Sequence, residues 1–152
     1  MTARSVTHAT FVVERTFAAP PARVFAAFAT FDAKRRWACH DDWTNTEFDF
    51  RPGGREANRG GEPGGPVYVF DARYYDIVPN ERIVFAYEMY RDDVRISVSV
   101  SALEFRPDGD GTRLVFTEHG AFLDGHDTAE AREHGTGEGL DNLARHLEHA
   151  PA

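Results

Sequence analysis

From Val67 to His119 the chain is an almost unbroken succession of strand-like segments joined by tight turns. "VYVFDARYYDIV", "RIVFAYEMY", "VRISVSVSALEF" and "TRLVFTEH" are separated by "PNE", "RDD" and "PDGDG", where Pro, Asn, Asp and Gly supply the turn conformations. Strands joined by turns this short pair antiparallel, and the resulting sheet must bury one face under another layer. The closing stretch "HGTGEGLDNLARHLEHA" offers that layer. Leu140, Leu143, Ala144 and Leu147 recur at i, i+3, i+4 and i+7, the stripe of an amphipathic helix, with Asn142, Arg145 and His146 turned to water. Carried backwards, the same stripe places Thr136 and Gly137 on the covered face and Gly139 beside them. Small residues therefore stand where bulk would fill the space between helix and sheet.

The first half completes the layout. "TFVVERTF" (10–17) reads as a strand, rich in Val, Phe and Thr. In "AAPPARVFAAFATF", Pro20 and Pro21 suit a helix start, Val24, Phe25 and Phe28 share a face, and Asp32 can cap a second short helix through Trp37. "TEFDFRPGGRE" carries Phe48 and Phe50 in period two before a Pro-Gly-Gly turn, which predicts a hairpin, and "GGEPGGP" (60–66) is a loop. On the strand from 94, Val94, Ile96, Val98 and Val100 are expected on the buried face and Arg95, Ser97, Ser99 and Ser101 on the wet one. Leu103 and Phe105 break that phase, so a β-bulge is expected near Ala102. The segment 119–135 is expected to be a loop with one helical turn, capped by Asp127 and stopped by Gly135, with the closing helix beginning near Thr136. The expectation is an α+β architecture in which a curved antiparallel sheet wraps a long C-terminal helix, with two short helices after the first strand.

Charge and composition exclude several functions. A length of 152 residues fits one domain, 1–152, with its core at about 10–149. A net charge of −8 opposes binding to nucleic-acid phosphates, and "AKRRW" at 33–37 is a solvated helix face. The lone Cys39 forms no internal disulfide, the opening "MTARSVTHATF" lacks the apolar run of a signal peptide, and no stretch approaches about 18 consecutive apolar residues. A cytoplasmic protein without a membrane span is expected. His119, His126 and His134 do not match a zinc spacing, "HDD" at 40–42 reads as a helix exit, and neither "PGG" nor "GGEPGG" has the Lys and Ser/Thr of a phosphate loop. No metal and no cofactor are expected. Without a partner His in a recognisable pattern, Cys39 beside Arg35 and Arg36 reads as a plain thiol.

A sheet curved around a helix tends to enclose an apolar concavity, the usual form of a small-molecule site. Alternation on the strands and the helix stripe select Trp37, Phe48, Phe50, Tyr68, Phe70, Tyr87, Met89, Val98, Phe122, Thr136, Leu140 and Leu143 as its lining. Tyr68, Tyr87 and Tyr90 can offer phenols to a ligand or serve as core. Glu118 and His119 are adjacent, so one of them points inward, as a buried acid or base or as a structural hydrogen-bonding group.

"ERTFAAPPARVFAAFA" resembles the opening of the AHSA-like branch of the START-like (SRPBCC) superfamily, named after activators of the heat-shock-protein-90 ATPase. Trp37, "FDFRPGGR", "IVPNERIVF", "DGTRLVFTEHGAF" and "GLDNLARHL" follow in the order of that family's signatures, over nearly the whole chain. The resemblance implies a helix-grip (START-like, Bet v 1-like) fold with a hydrophobic cavity. The family usually carries Gly-Trp at the start of the last helix, and the matching pair in this chain is Gly135-Thr136. Three functions follow: binding of a small hydrophobic or aromatic molecule, a polyketide-cyclase-like enzyme using one buried acid or base, or a co-chaperone domain stimulating a heat-shock chaperone ATPase. Binding is favoured, because the wall of Phe, Tyr, Val and Leu contains at most one convincing polar pair. A weak homodimer through strand edges or open-end aromatics is also expected.

Overall fold

The computed structural model describes residues 3–38 and 42–149, so Cys39, His40 and Asp41 lie outside the described residues. Its strands are β1 (Val6–Phe17), β2 (Trp43–Phe48), β3 (Arg55–Gly60), β4 (Tyr68–Val78), β5 (Arg82–Arg91), β6 (Val94–Asp108) and β7 (Gly111–Leu123). Its helices are α1 (Pro21–Ala29), α2 (Phe31–Ala38) and α3 (Ala129–His149). The strands form one antiparallel sheet in the order β1-β7-β6-β5-β4-β3-β2, with the first strand returning to pair with the last (Val13 opposite Phe116). With α1 and α2 placed after β1 and α3 closing the chain, the α+β helix-grip expectation holds.

The core fills the end of the concave face under α1. Val24, Phe25 and Phe28 of α1 face Leu103, Phe105 and Leu114, and Phe105 meets the rings of Phe25 and Phe28 at 5.4 and 5.6 Å. Trp37 packs edge-on against Phe28 at 4.8 Å and donates its indole N–H to the Ala27 carbonyl at 2.9 Å. That bond ties α2 to α1 where a bare indole N–H would be costly to bury. Leu140, Leu143 and Leu147 close the cluster from α3, and Arg23 donates to the Leu147 carbonyl at 2.7 Å. The predicted stripe is therefore correct in phase.

Three local expectations are corrected. Thr30, not Asp32, caps α2: its hydroxyl accepts from the Ala33 N–H at 3.3 Å, and Asp32 sits inside the first turn. Gly135 does not stop a helical turn, since α3 runs without a break from Ala129, with the Thr128 hydroxyl accepting from the Ala131 N–H at 3.1 Å as its cap. The third correction reverses a face. Met89 lies opposite Ser97 and Tyr90 opposite Arg95, so Ile96 is the extra residue of a bulge on β6. Beyond it Ser97, Ser99, Ser101, Leu103 and Phe105 all point inward, while Val98 and Val100 are 42% and 48% exposed on the convex face. The phase break belongs to Ile96 and not to Ala102, and Leu103 and Phe105 continue the row of serines.

This phase is testable by chemical denaturation. Val100→Thr is expected to stay within about 0.5 kcal/mol of the parent, whereas Ser99→Leu overpacks a fully enclosed position and costs roughly 1–3 kcal/mol. The opposite ranking would restore the face assignment read from the valines.

Candidate functional site

Toward the other end of the concave face, α2 and the first turns of α3 stand away from β3, β4 and β5. Between them lies a cavity of about 450 Å³, within the range of small-molecule pockets. Its apolar wall is Trp43, Phe70, Met89, Ala38 and Ala131; its polar groups are Lys34 of α2 with Glu56 and Asn58 of β3, and Asp127, Arg132 and Thr136, with Gly135 between the last two.

Two buried carboxylates sit on the strands behind these groups. Glu56 of β3 accepts from Lys34 Nζ at 2.6 Å and from the Tyr74 hydroxyl at 2.5 Å on Oε1, and from Asn58 Nδ2 at 2.8 Å on Oε2. Asn45 Nδ2 in turn donates to Asn58 Oδ1 at 2.9 Å. Burial pushes the Glu56 carboxyl up, but the Lys34 charge and these donors outweigh it and hold the group below the usual carboxylate value. Tyr74, buried beside that anion, has its phenol pushed well up and remains a donor.

Glu118 of β7 is the second carboxylate, 1% exposed. Its oxygens accept from the Tyr87 hydroxyl at 2.8 Å and the Ser101 hydroxyl at 2.9 Å, with Arg132 Nη1 at 3.7 Å. Here burial wins over those partners, and the carboxyl stays above its ordinary value. Arg132 reaches down from α3, donating to the Tyr87 hydroxyl at 2.7 Å, the Ser97 hydroxyl at 2.9 Å and Asp127 Oδ2 at 2.8 Å. Its guanidinium lies 5.3 Å from the Phe122 ring centre and 5.6 Å from that of Tyr87, both cation–π distances. Tyr87 thus accepts from Arg132 and donates to Glu118, and its phenol is pushed up by burial first and by the Glu118 charge second.

Of the residues read from the sequence, Phe70, Met89 and Thr136 line the cavity. Tyr87 and Phe122 lie beneath Arg132, one layer behind. Trp37, Phe50, Leu140 and Leu143 are packed into or against the core instead. Phe48 stacks on Phe50 at 6.3 Å with Lys34 Nζ 5.9 Å over its ring, and Tyr68 is half-buried at the start of β4. Val98 faces outward and cannot reach the concavity. Of the adjacent pair, Glu118 points in; His119 points out, where its Nδ1 is 2.8 Å from the Thr10 hydroxyl. Among the described residues no cluster of His, Cys, Asp or Glu is arranged to hold a metal ion.

Lys34, Glu56, Asn58, Asp127 and Arg132 were not visible as a site. Arg132 lies four residues before Thr136 and shares the helix stripe, so an unbroken α3 would have placed it on the sheet. The alternation of Glu56 and Asn58 in "REANRG" marks two inward polar positions on a strand too weakly patterned to draw notice.

The family model described as activator of Hsp90 ATPase homolog 1-like protein matches residues 18–148. The chain belongs to this family. The Hsp90-ATPase-activator-homologue-like fold recurs in a crystal structure of a Rhizobium loti protein, 48% identical over 94% of this chain and 99% of that one, with a TM-score of 0.90. A Rhizobium leguminosarum protein is also 48% identical, over 98% and 100% of the two chains, with a TM-score of 0.91. A Chromobacterium violaceum protein is 25% identical over 93% and 98%, with a TM-score of 0.76. No curated protein matches the sequence. No helix among the described residues is long and apolar enough to cross a membrane.

The two carboxylates respond oppositely to pH. Removing the cation in Lys34→Met leaves Glu56 to the upward push of burial, so its ionisation in the fold becomes costly at neutral pH. The expected loss, on the order of 2–4 kcal/mol at pH 7, shrinks toward pH 4 as the carboxyl takes up a proton. Glu118 already has a raised folded value, so its contribution is fully present at low pH and is lost as pH rises from the ordinary carboxylate value through the folded one. Glu118→Gln removes that slope, and its stability relative to the parent should rise from pH 4 to pH 8 in urea titrations. A pH-independent difference in either variant would contradict the assignment.

Proposed function

We propose that the chain binds a small molecule with a hydrophobic or aromatic body and a hydrogen-bond acceptor, between β3–β5 and the first turns of α3. The supporting observation is a cavity of about 450 Å³ in which Phe70, Met89 and Trp43 offer an apolar wall and Lys34 a directed cation. The Lys34 ammonium has three N–H donors and gives two, to Glu56 at 2.6 Å and to the Tyr74 oxygen at 3.4 Å, leaving one for a ligand. Glu56 holds that ammonium in place.

Acid–base catalysis by Glu118 is the weaker reading. Both of its oxygens are occupied, and Tyr87 and Arg132 separate it from the cavity. A general acid must come within hydrogen-bond reach of its substrate, which here would require breaking a buried network.

Thr136 stands on the helical wall where the family carries an indole, and it tests the reading by volume. Thr136→Trp is expected to weaken a bound ligand by at least roughly ten-fold while leaving the fold intact, since loss of the pocket removes most of the apolar contact. Native mass spectrometry of protein from two expression hosts, followed by thermal-shift titration with aromatic carboxylic acids and their neutral analogues, supplies the ligand and the comparison. Binding that survives Thr136→Trp undiminished would place the ligand elsewhere.

A further inference from the structure

Gly135 and Gly139 have no steric reason to be glycine. Both lie inside α3, and a Cβ built on either meets no atom within 4 Å. Gly137 differs, because its Cβ would come within 3.0 Å of the Arg15 guanidinium. Glycine in a helix interior weakens it relative to alanine, so three in five residues make 135–139 the segment of α3 most easily unwound.

The two sides of that segment are held in different ways. C-terminal to it, Leu140, Leu143 and Leu147 are buried in the core. N-terminal to it, Glu130, Ala131, Glu133 and His134 are exposed, and Arg132 is the side chain that enters the fold, through Tyr87, Ser97 and Asp127. The preceding turn contains Asp124 and Gly125, both with left-handed backbone (φ 57° and 72°), and Asp124 is fixed by the Ser5 N–H at 2.9 Å. A short helical arm is thus bracketed by a fixed turn and a weak glycine segment, with Ala131, Arg132, Gly135 and Thr136 forming one wall of the cavity.

We propose that residues 129–136 are a lid that opens at Gly135–Gly139 and is latched by Arg132. Opening exchanges the three hydrogen bonds of Arg132 for water and bares the faces of Phe122 and Tyr87 that its guanidinium covers, but it leaves Leu140, Leu143 and Leu147 in the core, so it requires less than global unfolding. That the lid admits a ligand rests on the binding function proposed above; that it opens does not.

Hydrogen exchange on the intact chain decides the second point. Amides of 129–136 are expected to exchange at least roughly ten-fold faster than those of 140–146, the mark of a local opening. Gly135→Ala with Gly139→Ala is expected to slow 129–136 by roughly ten- to thirty-fold and leave 140–146 unchanged, because two glycine penalties are removed at positions that accept a Cβ. Arg132→Met is expected to speed the same amides; should that variant fail to fold, the glycine pair still decides. Equal protection of the two segments in the parent, or no change in the glycine pair, overturns the lid. Stopped-flow uptake of anilinonaphthalene sulfonate should slow in the glycine pair by the same factor as exchange. Uptake at an unchanged rate overturns the gate, whereas a dye that binds no variant counts against the binding function and leaves the exchange result standing.

Discussion

Ile96 occupies a bulge on β6, and the direction it gives the following side chains governs the interior. Because side chains alternate strictly along a strand, one inserted residue exchanges the faces of everything beyond it. Here it turns Ser97, Ser99 and Ser101 inward and the valines between them outward. Three small hydroxyl side chains in mid-sheet leave space that Val98 and Val100, turned inward, would have filled. Glu118, Tyr87 and the head of Arg132 occupy that space, and the first turns of α3 are held by hydrogen bonds rather than by packed hydrocarbon.

The concave face consequently has two regions with different physics. Under α1 it is a conventional aromatic core, where Phe25, Phe28, Trp37 and Phe105 meet edge to face. Under the start of α3 it is a layer of charged and hydroxyl groups, one carboxylate neutralised by a lysine from α2 and the other approached by an arginine from α3. The cavity sits where the first region gives way to the second, so it joins apolar walls to a fixed cation. Gly120 belongs to the same layer: a Cβ there would stand 3.0 Å from both the Ser99 hydroxyl and the Phe122 ring, so any larger residue would have to push these side chains aside.

Much of the architecture was legible because it depends on local signals. Turn residues divided the strands, Pro20 and Pro21 opened α1, and the leucine stripe gave α3 its buried face. What escaped were features defined by partners distant in sequence. A row of serines looks solvated until Glu118 and Arg132 are known to lie opposite. Gly135 looks like a helix stop because glycine usually is one, yet Thr128 caps the helix and the leucines anchor its other half, so the chain stays helical through the weak segment. Glu56 and Asn58 look like exposed polar residues until Lys34, twenty-two positions earlier in the chain, is brought against them. Four of the twelve inferred lining residues, Trp37, Phe50, Leu140 and Leu143, went into or against the core for a related reason: hydrophobicity marks which side chains are covered, but not whether the cover is protein or ligand.

The network around Arg132 also constrains how the family can diverge. Its members come from β5, β6, β7, the turn before α3 and the start of that helix, and each depends on the others for a hydrogen bond or a countercharge. A lineage that loses Arg132 keeps Glu118 enclosed without its nearby cation, and one that loses Glu118 leaves Tyr87 and Ser101 to find new acceptors. Drift one residue at a time therefore passes through damaged intermediates. Positions 87, 97, 101, 118, 127 and 132 should be inherited as a block: retained together in some branches, and replaced together by hydrocarbon side chains in others.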